Sequence, residues 1–210
     1  MQDMKYFITG IGTDVGKSWA TGWLALRWMK EGKRVITQKF IQTGNDGMSE
    51  DILVHRQIMG IDMTEEDRSM LTAPEIFSYP CSPDLAAKID KRDIDFAKID
   101  RAADELEKRY DIVLIEGAGG IMVPLKGEYL TIDYMKESGM QAIVVTNGQL
   151  GSINHTLLTL EAIRTRGIEL AEVVYNGHFD KDSTICADTK QYIRGYLAKH
   201  FPAAKFTEMC

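Results

Sequence analysis

No apolar run in the chain is long enough to span a bilayer as a helix. Its opening residues, Met1 to Lys5, are polar and lead straight into a strand-like run. A basic region followed by an apolar one is missing, so no signal peptide is expected and the expected location is cytoplasmic. Positive charge is also in short supply. Lys and Arg number 25 against 31 Asp and Glu, a net charge of −6. That balance argues against nucleic acid as a partner, because phosphate backbones attract basic surfaces. No basic amphipathic tail for a membrane is present either. Cysteine is scarce: Cys81, Cys186 and Cys210 have no metal-ligand spacing and no C-x-x-C pair. An odd count without an export signal fits reduced thiols. The four histidines, His55, His155, His178 and His200, show no metal spacing, and none is assigned to catalysis. Internal repeats, low-complexity tracts and long linkers are absent.

The rest is ordinary globular composition: 210 residues, 44% hydrophobic and 27% charged. One domain with a single large core is expected over residues 1–210. Tyr6–Thr9, Arg34–Ile41, Asp111–Ile115, Ala142–Thr146 and Glu172–Tyr175 read as strands covered on both faces, since each is nearly continuously apolar. Helical patterns fall between them, most clearly at Ser18–Lys30, Ile94–Lys108 and His155–Arg166, with Gly32, Gly139 and Gly167 at helix ends. Such alternation predicts an α/β fold: right-handed crossovers and a mainly parallel central sheet in a three-layer, P-loop NTPase-like domain. The stretch 44–93, with Pro74, Pro80 and Pro83, reads as an irregular excursion, with a short helix starting near Asp51.

Gly10-Ile11-Gly12-Thr13-Asp14-Val15-Gly16-Lys17-Ser18 follows a predicted strand and opens a predicted helix. That is the setting of a phosphate loop. Glycines let the backbone turn sharply, successive N–H groups line one concavity, and the helix N-terminus adds partial positive charge. Lys17 is placed to neutralise β and γ phosphates, and Ser18 to put its hydroxyl on Mg²⁺. The glycine spacing is not the common one: Ile11 occupies the usual place of the first glycine. Trp19, Trp23, Leu24 and Leu26 read as buried core of the first helix.

A hard cation needs oxygen ligands, so carboxylates are expected near the loop. Glu116 ends a predicted strand and precedes Gly117-Ala118-Gly119-Gly120, at the sheet edge where α/β ligands bind. Asp51, in Ser49-Glu50-Asp51, is a second candidate; a helix-capping role explains it equally. Lys39 and Thr43 fall near the same edge, as does Asn176, which could form a turn with Gly177 or read a nucleobase.

Taken together these residues resemble dethiobiotin synthetases, ATP-dependent enzymes of biotin biosynthesis. The likeness runs from about Tyr6 to Asn176. It rests on Thr9 to Ser18, Lys39, Thr43-Gly44, Asp51, Glu116 to Gly120, Leu150-Gly151-Ser152-Ile153-Asn154-His155 and Asn176. The resemblance implies a reaction that pattern alone does not give. 7,8-Diaminopelargonic acid takes up CO₂ on one amine, the carbamate attacks the γ-phosphate of ATP, and the second amine closes a cyclic urea. It implies Lys17, Lys39 and Thr13 as catalytic residues and Ser18, Asp51 and Glu116 as Mg²⁺ ligands. Nucleotide contacts would come from Gly12, Thr13, Asp14, Val15, Gly16, Lys17, Ser18, Glu116 and Asn176. Thr13, Lys39, Thr43 and the segment Gly151, Ser152, Ile153 and Asn154 would contact substrate. The last four are implied to act across a homodimer, because the substrate carboxylate lies roughly 9 Å from its amines when extended. Phe40 stands where the family usually has proline, Asp14 where a glutamate is often found, and the family's later Gly-x-Ile-Pro-type segment is not evident. Alternatives are a nucleotide switch resembling the partitioning ATPases, although no lysine stands early in the loop, or another cyclising ligase.

Overall fold

The computed structural model describes residues 4–209; the readings made on Met1 to Asp3 and on Cys210 lie outside them. In chain order the elements are β1 Met4–Gly10, α1 Lys17–Lys30, β2 Val35–Lys39, β3 Gln42–Thr43, α2 Glu50–Met59, α3 Glu65–Arg68, β4 Ile76–Phe77, α4 Pro83–Ile89, α5 Phe96–Glu107, β5 Ile112–Gly120, β6 Pro124–Lys126, β7 Tyr129–Leu130, α6 Thr131–Ser138, β8 Gln141–Asn147, α7 Ser152–Thr165, β9 Leu170–Asn176, α8 Ser183–His200 and β10 Lys205–Met209. Six strands form one sheet in the order β10-β9-β8-β1-β5-β2, and every neighbouring pair is parallel.

The continuous apolar strands are buried on both sides, and their period of two sorts the core into two layers. Ile8, Ile112, Leu114, Ile143 and Val145 face α1, meeting Ala20, Leu24 and Ala25, with Met59 of α2 alongside. Phe7, Val113, Ile115, Ala142 and Val144 face the other way, onto Ile99 and Leu106 of α5, Met135 of α6, Leu160 of α7 and Ile193 of α8. This is the three-layer α/β architecture expected. Strand β1 is central: the chain leaves it for β2, returns through β5, then builds outward through β8, β9 and β10. The C-terminal end of β1 is therefore a switch point, where open α/β sheets bind ligands.

Gly139 caps α6 in the left-handed conformation, at φ 67°, and Gly32 and Gly167 follow the ends of α1 and α7 with φ 82° and 67°. The excursion 44–93 contains three helices and β4, which pairs in parallel with β3 just before it. Helix α2 begins where expected. Ser49 caps it, its Oγ accepting from the N–H of Ile52. Several boundaries differ from the expectation; β5, for one, runs on from Ile115 to Gly120. Strand β2 stops at Lys39 because the chain leaves the ladder there: the Lys39 N–H donates to the carbonyl of Thr72 in the excursion at 2.7 Å. Helix α7 starts at Ser152 rather than His155, behind Gly151 at φ 91°. Helix α8 and the edge strand β10 carry too narrow an apolar pattern to be read in advance. Trp19, read as core, is 63% exposed. It sits on the first turn of α1, beyond the sheet that covers Leu24.

Candidate active site

The phosphate loop spans the gap between β1 and α1. Gly16 takes φ 88° to start the helix, and a Cβ there would lie 2.2 Å from Nδ2 of Asn176. Both the backbone and the space thus require glycine. Asp14 is one of three non-glycine residues with positive φ among the described residues, at 57°. Short Asp tolerates this conformation better than most side chains, which gives a backbone reason for Asp where the family often has glutamate. Lys17 is buried, and its Nζ donates to the carbonyl of Gly12 at 2.9 Å across the loop. Burial lowers the pKa of this ammonium below its ordinary value, partly offset by Glu116 and reinforced by Lys39.

Next to the loop lies a compact charge cluster built by strand register. Lys39 on β2 is the ladder partner of Glu116 on β5, so both side chains leave the sheet on the α1 face. Lys39 Nζ lies 2.9 Å from Glu116 Oε1 and 2.5 Å from Asp51 Oδ2. Ser18 Oγ, on the first turn of α1, is 2.8 Å from Asp51 Oδ1 and 2.9 Å from Glu116 Oε1. Burial alone would raise the pKa of Glu116, but Lys39 and His55 outweigh it and hold the carboxyl well below the usual range. Burial likewise opposes charge on Lys39, and Glu116 and Asp51 outweigh it, raising its pKa. The site thus holds fixed charges of both signs, out of water, at the mouth of the phosphate loop.

The cleft has a volume of about 1020 Å³. Thr13, Asp14, Gly16, Lys17 and Ser18 line it, as do Lys39, Thr43, Asp51, Glu116 and Asn176. Gly12 enters through its carbonyl on Lys17, and Val15 is tied to Asn176, whose Nδ2 donates to the Val15 carbonyl at 3.1 Å. Oδ1 of Asn176 accepts from the N–H of His178, so this side chain also holds the loop against the end of β9. Beyond it the cleft runs to Phe179, Lys190, Glu208 and Met209. Helix α8 and strand β10 thus contribute to the wall of the cleft. Gly151, Ser152, Ile153 and Asn154 do not line the cleft; they open α7, with Ser152 buried and its Oγ without a hydrogen-bond partner.

Two side chains at the site escaped the sequence reading. His55 Nε2 lies 2.6 Å from Glu116 Oε2, and Trp19 stands at the rim. The spacing of Asp51 and His55, four residues apart and so on one helix face, was the available signal. Phe40, the departure from proline, is fully buried against Phe7 and Tyr134. Its N–H donates to the carbonyl of Glu116 at 2.8 Å, a bond that proline could not make.

The donor set suits Mg²⁺. Among the described residues no three His, Cys, Asp or Glu side chains converge on one point. Mg²⁺ does not need such a cage, since it is commonly held by one or two carboxylates together with substrate phosphates and water. Ser18, Asp51 and Glu116 supply a hydroxyl and two carboxylates, each carboxylate within hydrogen-bond distance of that hydroxyl, beside the phosphate loop.

Comparison with known proteins gives the family. A family model described as an AAA domain matches residues 4–202. The chain is 48% identical over 204 residues to ATP-dependent dethiobiotin synthetase BioD 2 of Pasteurella multocida, covering 97% of this chain and 96% of that one. It is 54% identical over 176 residues to the BioD 2 enzyme of Haemophilus influenzae, covering 84% and 92%. Against ATP-dependent dethiobiotin synthetase BioD of Chlorobaculum tepidum it is 47% identical over 200 residues, covering 95% and 84%. Among solved structures, pNOB8 ParA bound to nonspecific DNA superposes with a TM-score of 0.57 at 14% identity, over 97% of this chain and 85% of that one. Chloroplast FtsY from Physcomitrella patens gives 0.55 at 16% identity, over 98% and 57%. These two likenesses concern the fold alone. No helix among the described residues is long and apolar enough to cross a membrane. With its phosphate loop, buried acid–lysine cluster and near full-length relatives, the chain belongs to the ATP-dependent dethiobiotin synthetase family.

Proposed function

We propose that the cleft joins 7,8-diaminopelargonic acid and CO₂ at the expense of ATP, closing the cyclic urea of dethiobiotin. The observation that carries this reading is the convergence of Lys17, Lys39, Ser18, Asp51 and Glu116 beside a phosphate loop. One amine adds to CO₂ and loses a proton, giving a carbamate. A carbamate oxygen attacks the γ-phosphorus, forming a carbamic-phosphoric anhydride and releasing ADP. The second amine attacks the carbamoyl carbon, loses a proton, and expels phosphate.

The physical obstacle is that two anions, carbamate and triphosphate, must meet. Fixed cations in a water-poor site lower that barrier more than they would in bulk water. Lys17, at the start of α1, faces the phosphates. Lys39, already held by two carboxylates, carries its charge reliably and faces the carbamate. Mg²⁺ bound with the nucleotide would be held by Ser18, Asp51 and Glu116, and would neutralise phosphate charge. Thr13 and Thr43, which both line the cleft, supply hydroxyls to the reacting end of the diamine. The base lies toward Asn176 and Phe179.

The substrate carboxylate is assigned to a second copy of the chain. The N-terminus of α7 offers unpaired N–H groups, a left-handed Gly151 that leaves room, and the orphan Ser152 hydroxyl. The adjacent Leu150 is 85% exposed, as a residue awaiting a partner subunit would be. The chain is read as one domain throughout.

Phosphate release measured with and without the diamine and bicarbonate tests the reading. Strong dependence on both is expected. Release indifferent to the diamine would instead indicate a nucleotide switch of the partitioning type.

A further inference from the structure

Glu116 has three side-chain partners. Lys39 and Ser18 both line the cleft and both meet Oε1. They are the groups that an incoming phosphate or cation draws on, so neither can hold Glu116 still while ligands bind. The third partner, His55, meets the other oxygen, Oε2, at 2.6 Å. His55 does not line the cleft and is 0% exposed. A glutamate side chain has three rotatable bonds, and a single oxygen fixed from behind removes most of that freedom.

Behind His55 stands a chain of buried groups with one sense of direction. Asp67 grips Arg56 through Nε and Nη2, at 2.8 and 2.7 Å. Arg56 Nη1 donates to Thr37 Oγ1 at 2.8 Å. Arginine has no acceptor, so this bond occupies a lone pair of Thr37 and leaves the hydroxyl hydrogen free. The remaining neighbour of Thr37 Oγ1 is His55 Nδ1, at 2.9 Å. The Glu116 carboxylate only accepts, so a ring hydrogen belongs on Nε2, and in the neutral ring Nδ1 then accepts from Thr37. All four members are buried: Thr37 0%, His55 0%, Arg56 2% and Asp67 2% exposed.

Two elements supply both halves of this arrangement. Thr37 and Lys39 are two apart on β2 and point to the same face; Asp51 and His55 are four apart on α2 and share one side of the helix. Strand and helix each give one group to the cleft and one to the support behind it.

Building on the active-site reading above, we infer that His55 is a positioning residue. Relayed through Thr37 and Arg56, it locks Glu116 so that Oε1 stays turned toward the cation and phosphates. Partners that orient a metal-binding carboxylate typically matter 10–100-fold in metal affinity.

The test is Mn²⁺ binding, followed by electron paramagnetic resonance, to the full-length protein with a non-hydrolysable ATP analogue. It is read beside kcat, KM for ATP at saturating Mg²⁺, and melting temperature. His55→Ala should weaken Mn²⁺ binding about tenfold or more. KM for ATP at saturating metal should stay near wild type. His55→Gln, whose amide N–H can occupy the place of Nε2, should recover most of the loss. Thr37→Val, which keeps the shape but removes the donor to Nδ1, should weaken Mn²⁺ in the same sense, and it decides the matter if His55→Ala does not fold. A lower melting temperature with wild-type Mn²⁺ affinity in both His55→Ala and Thr37→Val would overturn the proposal, as would His55→Gln behaving no better than His55→Ala. Glu116→Gln is measured alongside. Unchanged affinity there overturns the site assignment itself and the proposal with it. A loss in Glu116→Gln with none in the other variants overturns the positioning role alone.

Discussion

At the scale of single residues the site depends on charges that burial makes costly and their neighbours make tolerable. Lys17 meets only a loop carbonyl, so its charge serves the ligand rather than the fold. Lys17→Ala should reduce turnover by at least ~10²–10³-fold, the size of one lost electrostatic contact to a reacting group, with little change in melting temperature. Turnover assays beside thermal denaturation check this, and near-normal turnover would contradict the phosphate-loop assignment. Asp51→Asn and Glu116→Gln each remove an anionic oxygen, so both should shift the Mg²⁺ dependence of the rate to higher concentration. If both variants follow the wild-type Mg²⁺ curve, the metal ligands are elsewhere. Lys17 and Ser18 were legible in the sequence because they open a helix behind a glycine loop, and Glu116 because glycines follow it, although β5 runs on through them to Gly120. His55 was not. Its four-residue spacing from Asp51 was the one local signal, but that spacing does not say what the histidine meets, and its partner is 61 positions away in the chain.

At the scale of elements the strands and the first helix were legible because continuous apolar runs and glycine caps are local signals. Helix α8 was missed because its buried positions, Cys186, Thr189, Ile193 and Leu197, include only two large aliphatic residues. Strand β10 was missed because it is a polar edge strand with a single buried residue, Met209. The consequence of Phe40 is likewise a property of elements. Its ring seats the end of β2 against Phe7 and Tyr134, and its N–H ties that end to β5 at Glu116. Phe40→Pro removes both. It should destabilise by at least the ~3–5 kcal/mol usual for losing a buried aromatic ring, measured by urea unfolding. A small effect would mean that β2 is held at Lys39 by the Thr72 contact alone.

At the scale of the whole molecule, buried charge sets the pH range of stability. Glu116 and Asp67 have pKa values depressed from 4.5 and 3.8 in the fold, despite burial, by Lys39 and His55 and by Arg56 respectively. Depressed carboxylates stabilise the fold above their unfolded values and lose that contribution as pH falls toward the folded ones. Lys39, raised from 10.5, contributes below that value and loses its contribution as pH rises past it. The melting temperature should therefore be nearly level through neutral pH and fall steeply below about pH 4; a level curve down to about pH 3 would contradict these assignments. Assembly is testable on the same scale. Lys17→Ala and a bulky replacement at Gly151 are each expected to be inactive, but mixed dimers after subunit exchange should regain one working site, because both lesions can fall in the other. No recovery despite proven exchange would exclude a shared site. The most direct measurement is mass spectrometry of the products formed with 7,8-diaminopelargonic acid, bicarbonate, Mg²⁺ and ATP. The cyclic urea should appear with ADP in equal amounts, require every component, and vanish in Lys17→Ala. ADP formed without the diamine, and no cyclic urea with it, would contradict the account.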